Sequence, residues 1–211
     1  MQRIGLFFGS FNPVHVGHLI IAHYMATFTD LDEVWFVVSP QNPFKKKESL
    51  GNMYDRLEMV NLAIEHADNL RASTIEFNLP RPSYTVDTLI HLRERYPDKE
   101  FVLIMGSDNL KSFHKWKNHE VILRDYQIYV YPRPGHLGYP LESHPSVTVT
   151  DTPLMELSAT FVRQAVKDGK SIRYFVPDPV LAFIDSKDSI FSTFKKRAPD
   201  RRTDSGHTLF L

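Results

Sequence analysis

Short apolar runs that stop at glycine or proline alternate along this chain with segments whose apolar residues recur every three or four positions. Ile4-Gly-Leu-Phe-Phe8 is such a run, halted by Gly9, and reads as a buried strand. From Val16 to Phe28, Leu19, Ile20, Ala22, Met25 and Ala26 fall at helical spacing behind an Asn12-Pro13 start signal. Val34-Trp-Phe-Val-Val38 is a second buried strand, closed by Ser39-Pro40. Strand, glycine loop, helix and strand make a βαβ unit, whose strands should be parallel and whose crossover should be right-handed.

The alternation continues. Residues 41–52 are polar and basic, a long loop whose length and polarity suit a lid over substrate. Met53 to His66 is amphipathic, and Leu70 to Phe77 is read as extended. Thr85 to Arg95 carries Val86, Leu89, Ile90 and Leu92 on its apolar side. Phe101 to Met105 is a further strand, ending at Gly106. Gln127 to Tyr131 and Val147 to Thr150 are strand candidates, while Thr160 to Lys167 and Pro179 to Asp185 read as helices. The pattern predicts an α/β fold: a Rossmann-like open, mostly parallel sheet with helices on both faces and a small C-terminal helical part. Residues 1–190 read as one domain. Residues 191–211, with Lys195, Lys196, Arg197, Arg201 and Arg202, read as a basic, flexible tail.

Composition narrows the function. Lys and Arg total 25, as do Asp and Glu, so the formal charge is zero and a surface tuned to nucleic acid or anionic lipid is disfavoured. A 42% hydrophobic content over 211 residues supports a substantial core rather than disorder. The absence of cysteine removes disulfides, thiolate metal sites and cysteine nucleophiles together. No apolar stretch approaches the roughly 18 residues of a membrane helix, and the opening residues do not form a signal peptide. The expectation is a cytoplasmic protein without a membrane partner.

Ligands of open α/β sheets bind at the carboxyl ends of the strands. There the chain reads Gly9-Ser10-Phe11-Asn12-Pro13-Val14-His15-Val16-Gly17-His18. Gly9 permits a sharp turn and close approach of backbone to ligand. The helix start offers free N–H groups and a positive dipole end, which suit an anion. His15 and His18, three apart, share one face of the first turn, and Gly17 keeps one flank free of bulk. Zinc binding by His15, His18 and His23 is the competing reading, but no HExxH pattern or neighbouring carboxylate completes a ligand set, and no dedicated metal site is expected. A phosphate site is favoured. Far along the chain, Ser158-Ala-Thr160-Phe-Val-Arg163 opens a helix: Ser158 is a natural N-cap, and Thr160 and Arg163 share a face. Hydroxyls, amides and a guanidinium there form a second anion site.

The first string resembles the (H/T)xGH signature of the nucleotidyltransferase superfamily, and the second resembles its ISSTxxR-type element. Further segments are similar to the nicotinate-nucleotide adenylyltransferase family: Pro40-Gln-Asn-Pro-Phe-Lys-Lys-Lys47, Arg81-Pro-Ser-Tyr-Thr-Val-Asp-Thr-Leu89, Ile104-Met-Gly-Ser-Asp-Asn-Leu110, Trp116 and Tyr131-Pro-Arg-Pro-Gly135. They spread the resemblance over residues 1 to 187. Where the family often has a histidine in its proline-rich loop, this chain has Lys45.

The resemblance implies adenylyl transfer from ATP to nicotinate mononucleotide, with Mg²⁺ carried by the ATP. It implies His15 and His18 as catalytic residues at the α-phosphate. Gly9, Ser10, Phe11, Lys46, Ser158, Thr160 and Arg163 would hold the phosphates, and Ile104, Gly106, Asp108 and Arg133 the adenosine side. Tyr84 and Thr85 would receive the carboxylate of nicotinate, and Trp116 would stack on its ring. Nicotinamide mononucleotide and phosphopantetheine are rival acceptors for the same chemistry. A nucleotide-binding sensor and an RNA-binding module are the non-enzymatic rivals. Neither oligomeric state nor the tail's role is legible.

Overall fold

The computed structural model describes residues 1–41 and 50–187. Lys46, most of the polar loop and the basic tail therefore lie outside the described residues. Six strands form one sheet: β1 Gln2–Gly9, β2 Glu33–Val38, β3 Leu70–Ser73, β4 Lys99–Gly106, β5 Gln127–Tyr131 and β6 Val147–Val149. Their spatial order is β3-β2-β1-β4-β5-β6 and every neighbouring pair is parallel. The sheet is all-parallel where a mostly parallel one was expected. Six α-helices surround it: α1 Val16–Phe28, α2 Met53–Ile64, α3 Thr85–Arg95, α4 His119–Asp125, α5 Ala159–Lys167 and α6 Asp178–Ser186.

Strand periodicity sorts the core into two layers. Val34, Phe36 and Val38 of β2, Val102 and Ile104 of β4, and Tyr129 and Tyr131 of β5 face one layer, with Met25 of α1, Met59 of α2, Val162 of α5 and Val180 of α6. Trp35 and Val37, Leu103 and Met105, and Ile128 and Val130 face the other, with Leu89 of α3 and Ile122 of α4. Both faces of each central strand are buried, which is why these strands read as continuous apolar runs. Gly5 is needed in β1 for a packing reason: a Cβ there would lie 2.6 Å from Ile104 Cδ1 and 2.7 Å from Leu31 Cδ1.

One local expectation is corrected, and two elements appear that the pattern does not predict. The extended stretch Leu70–Phe77 is strand only to Ser73, because β3 is an edge with β2 as its sole neighbour. Beyond it, Ile75–Asn78 coils into a 3-10 turn that buries Ile75 and Glu76. Ser107–Lys115 forms a 3-10 run and His119–Asp125 a short helix, neither of which had been expected. The strand order reverses between β1 and β4, so a crevice opens where both strands end, at Gly9 and Gly106.

Candidate active site

The loop leaving β1 is folded around an aromatic ring. Phe11 has φ 44°, a left-handed backbone uncommon for a non-glycine residue. Its ring is buried and lies over Gly9, where a Cβ would approach to 2.7 Å. The packing of Phe11 is thus one requirement for glycine at position 9. The Phe11 ring also meets His18 edge-on, with centroids 5.1 Å apart. Phe11 therefore lies beneath the loop, with its backbone at the crevice.

His15 is the N-cap of α1, with extended backbone, and the His15 and His18 rings stack at 3.6 Å. The His15 amide donates to His18 Nδ1 at 3.1 Å. With Nδ1 accepting, the proton of a neutral His18 ring sits on Nε2. His15 is only 4% exposed, and its Nδ1 has no hydrogen-bond partner among the described residues. Burial, reinforced by the charge of Arg133, lowers its pKa to about 4. Gly17 leaves room for this ring: a Cβ there would sit 3.1 Å from His15 Nδ1.

The second motif docks on the first. Ser158 caps α5, its hydroxyl accepting from the Phe161 amide at 3.2 Å. Arg163 donates from Nη1 to the Asn12 carbonyl at 2.8 Å and from Nη2 to Thr160 Oγ1 at 3.1 Å. Two segments about 150 residues apart are thereby joined at the mouth of the crevice. Arg56, which sequence reasoning missed, is 1% exposed. Its guanidinium donates to the carbonyls of Ser10 (2.6 Å), Ser39 (2.8 Å), Pro40 (3.2 Å) and Gly51 (3.1 Å). Burial lowers its pKa to about 10, so it remains a cation at neutral pH. It ties the β1 loop to the chain leaving β2 and to the start of α2. An arginine on the apolar side of a helix was its only signal in the sequence.

Beside this loop lies a cavity of about 550 Å³, lined by Gly9, Tyr84, Thr85, Ile104, Gly106 and Trp116 among others. Tyr84 is the N-cap of α3, whose start no side chain caps among the described residues. Trp116 leans on Phe113 with ring centroids 5.2 Å apart. Lys117, not anticipated, lines the same cavity, lies 4.8 Å over the Tyr84 ring and pairs with Asp87 at 2.8 Å. Its neighbour Trp116 was a signal that could have found it. Glu76, Ser83 and Asn109 are further lining residues outside the expected set.

Asp108 and Arg133 line a separate, shallower depression with His136 and Glu156, their charged groups 3.7 Å apart. Ile104 and Gly106 line the larger cavity. The Arg133 amide donates to Ser107 Oγ at 2.8 Å, fixing the end of β5 against that of β4. The structure thus brings together a histidine pair, a guanidinium bridge, a flat aromatic cavity and a charged depression around the ends of β1 and β4. Such a site can hold an extended polyanion with a ring at each end.

Residues 6–165 match the model of the cytidylyltransferase-like family. A Cytophaga hutchinsonii protein named probable nicotinate-nucleotide adenylyltransferase is 57% identical over 186 residues, covering 88% of this chain and 97% of its own. A Flavobacterium johnsoniae protein of the same name is 54% identical over 188 residues, covering 87% and 96%. In fold, the chain is similar to the Plasmodium falciparum nicotinic acid mononucleotide adenylyltransferase complexed with NaAD. The TM-score is 0.78 at 16% identity, over 92% of this chain and 99% of that one.

Proposed function

The chain belongs to the nicotinate-nucleotide adenylyltransferase family, within the cytidylyltransferase-like group, and from that premise we propose how its residues divide the work. The reaction is transfer of the adenylyl group of ATP to nicotinate mononucleotide, giving nicotinate adenine dinucleotide and pyrophosphate. An oxygen of the mononucleotide phosphate forms a bond to the α-phosphorus. The bond from that phosphorus to the bridging oxygen breaks, and its electron pair leaves on pyrophosphate. The nucleophile is already anionic, so no general base is needed. Catalysis rests on in-line alignment and on stabilising charge at phosphorus and leaving group.

The observation that carries this reading is the stacked His15–His18 pair at the start of α1. His18 Nε2–H donates to an α-phosphate oxygen, and the first amides of α1 add their dipole. His15 is neutral in the free protein. The charge of an incoming triphosphate offsets the repulsion from Arg133 and so favours protonation of His15 in the complex. The backbone of Gly9, Ser10 and Phe11 follows the phosphates. Ser158, Thr160 and Arg163 hold the leaving pyrophosphate, with Arg163 offering the donors left over from its two protein contacts. Lys46 keeps its expected role at the triphosphate.

Asp108 and Arg133 take the adenosine side with Gly106, and Ile104 forms the wall between adenosine and acceptor. Trp116 stacks on the pyridinium ring, and the amides after Tyr84, at Thr85, receive its carboxylate. Lys117 adds positive charge to that end. Mg²⁺ enters as part of the substrate, bound to ATP. It takes oxygen ligands from phosphate and water, and no three acidic or imidazole groups gather to hold it among the described residues. No helix among those residues is long and apolar enough to cross a membrane. With ATP as substrate, the reading places the enzyme in the cytoplasm.

The test is pyrophosphate release with ATP and Mg²⁺, comparing nicotinate mononucleotide, nicotinamide mononucleotide and phosphopantetheine. Strong preference for the first is expected. Equal use of both mononucleotides would refute the carboxylate reading at Tyr84 and Thr85. No release with any acceptor would refute the reaction.

A further inference from the structure

A carboxyl group lies inside the wall of the large cavity, and the mechanism above does not use it. Glu76 is 2% exposed and sits in the 3-10 turn between β3 and α3. The ion pairs among the described residues leave it out. Its partners are hydroxyls, that of Ser39 at the end of β2 among them. Ser83 Oγ donates to Oε2 at 3.0 Å, and Thr88 Oγ1 donates to Oε1 at 2.9 Å. The Thr88 hydroxyl also lies 3.3 Å from the carbonyl of Tyr84. Ser83 precedes the N-cap of α3 and Thr88 closes its first turn, so one side chain grips the helix start from both sides of Tyr84.

We infer that Glu76 is a positioning residue for acceptor recognition: it fixes the start of α3, and so sets the discrimination between a nicotinate and a nicotinamide ring. The inference rests on the function proposed above.

Two donors arriving from one helix require two acceptors held at a fixed separation. A carboxyl group supplies both on a rigid plane, whereas hydroxyl, imidazole and ammonium side chains do not. The Tyr84 side chain makes no capping hydrogen bond at the start of α3, so the hold on that end comes from Ser83 and Thr88 through Glu76 and from Lys117 through Asp87. A displacement of about 1 Å at this cavity wall is enough to cost on the order of a hundredfold in a reaction that depends on alignment. Burial pushes the Glu76 carboxyl upward, against the hydroxyls of Ser39, Thr88 and Ser83, which favour the anion.

The experiment measures KM and kcat for ATP, nicotinate mononucleotide and nicotinamide mononucleotide in wild type, Glu76→Gln, Glu76→Ala and Thr88→Val. In Glu76→Ala the KM for nicotinate mononucleotide should rise at least tenfold, while the KM for ATP stays within threefold. The preference for nicotinate over nicotinamide should fall by a similar factor. Glu76→Gln should recover most of the preference, since an amide oxygen accepts from Ser83 and the amide nitrogen donates to Thr88, whose own proton then goes to the Tyr84 carbonyl. Thr88→Val keeps the shape and removes one arm, so it should reproduce the alanine effect at smaller size, even if the alanine variant does not fold. An unchanged nicotinate KM in both Glu76→Ala and Thr88→Val would overturn the inference. So would ATP and mononucleotide KM values that rise together, the mark of a purely structural role. A wild type that shows no preference between the mononucleotides would instead refute the function on which the inference depends.

Discussion

Protonating His15 should unfold this protein by degrees, and the size of the effect follows from its surroundings. Its pKa is about 4 in the folded chain against 6.5 for an ordinary histidine, chiefly through burial and secondarily through Arg133. Between those values the unfolded chain holds a proton that the folded chain does not, so stability must fall as pH falls. The contribution is fully present above pH 6.5 and is lost progressively down to about pH 4. At ~1.36 kcal/mol per pH unit, the loss between pH 7.5 and 4.5 is ~2.5 kcal/mol. Against a typical stability of ~5–15 kcal/mol this is a measurable share. Urea unfolding at the two pH values, in wild type and in His15→Asn, isolates it: the wild type should lose ~2.5 kcal/mol more than the variant. Other titrating groups cancel in the difference. A pH-independent gap between the two proteins would refute the assignment of His15 as a buried neutral imidazole. A gap that widens in the opposite direction would refute the sign.

Other changes probe the loop and its supports. His18→Ala removes the Nε2–H donor and should lower pyrophosphate release by ~100-fold or more, as loss of one transition-state donor does; turnover within a few-fold of wild type would refute its role. Arg56→Met deletes hydrogen bonds to four backbone carbonyls. At ~1.5 kcal/mol each they outweigh the ~3 kcal/mol of charge burial relieved, so denaturant unfolding should show a net loss of ~3 kcal/mol. Gly9→Ala drives a methyl group to 2.7 Å from the Phe11 ring and should destabilise by ~1–3 kcal/mol, which a thermal melt reads. Phe11→Leu in the alanine background should recover part of that loss.

Much of the candidate site was legible in the sequence because its two helix-start motifs are local. Each places its groups within one turn at the start of a helix, where spacing alone decides which side chains share a face. The N-cap role of Ser158 and the approach of His15 to His18 follow from that spacing, and both appear in the structure. The resemblance to a family supplied Tyr84, Thr85 and Trp116, which no local rule singles out, and the three do line one cavity. What sequence reasoning missed has no local mark. Arg56 sits on the buried side of an amphipathic helix, where its charge reads as an exception until four carbonyls from three segments are seen around it. Glu76 stands in a stretch read as strand, and its importance appears only when Ser83 and Thr88 close on it.

The alternation of strands and helices, the parallel sheet and the two helix-start motifs were determined by the sequence itself, because hydrophobic periodicity and helix-start chemistry act over a few residues. Tertiary structure alone decided that Arg163 reaches back to the Asn12 carbonyl. It likewise decided that Gly9 serves an aromatic ring and that the charged depression at Asp108 and Arg133 is separate from the cavity at Trp116. These depend on the distance between residues far apart in the chain, and the packed sheet fixes that distance through the order of its strands and the reversal between β1 and β4.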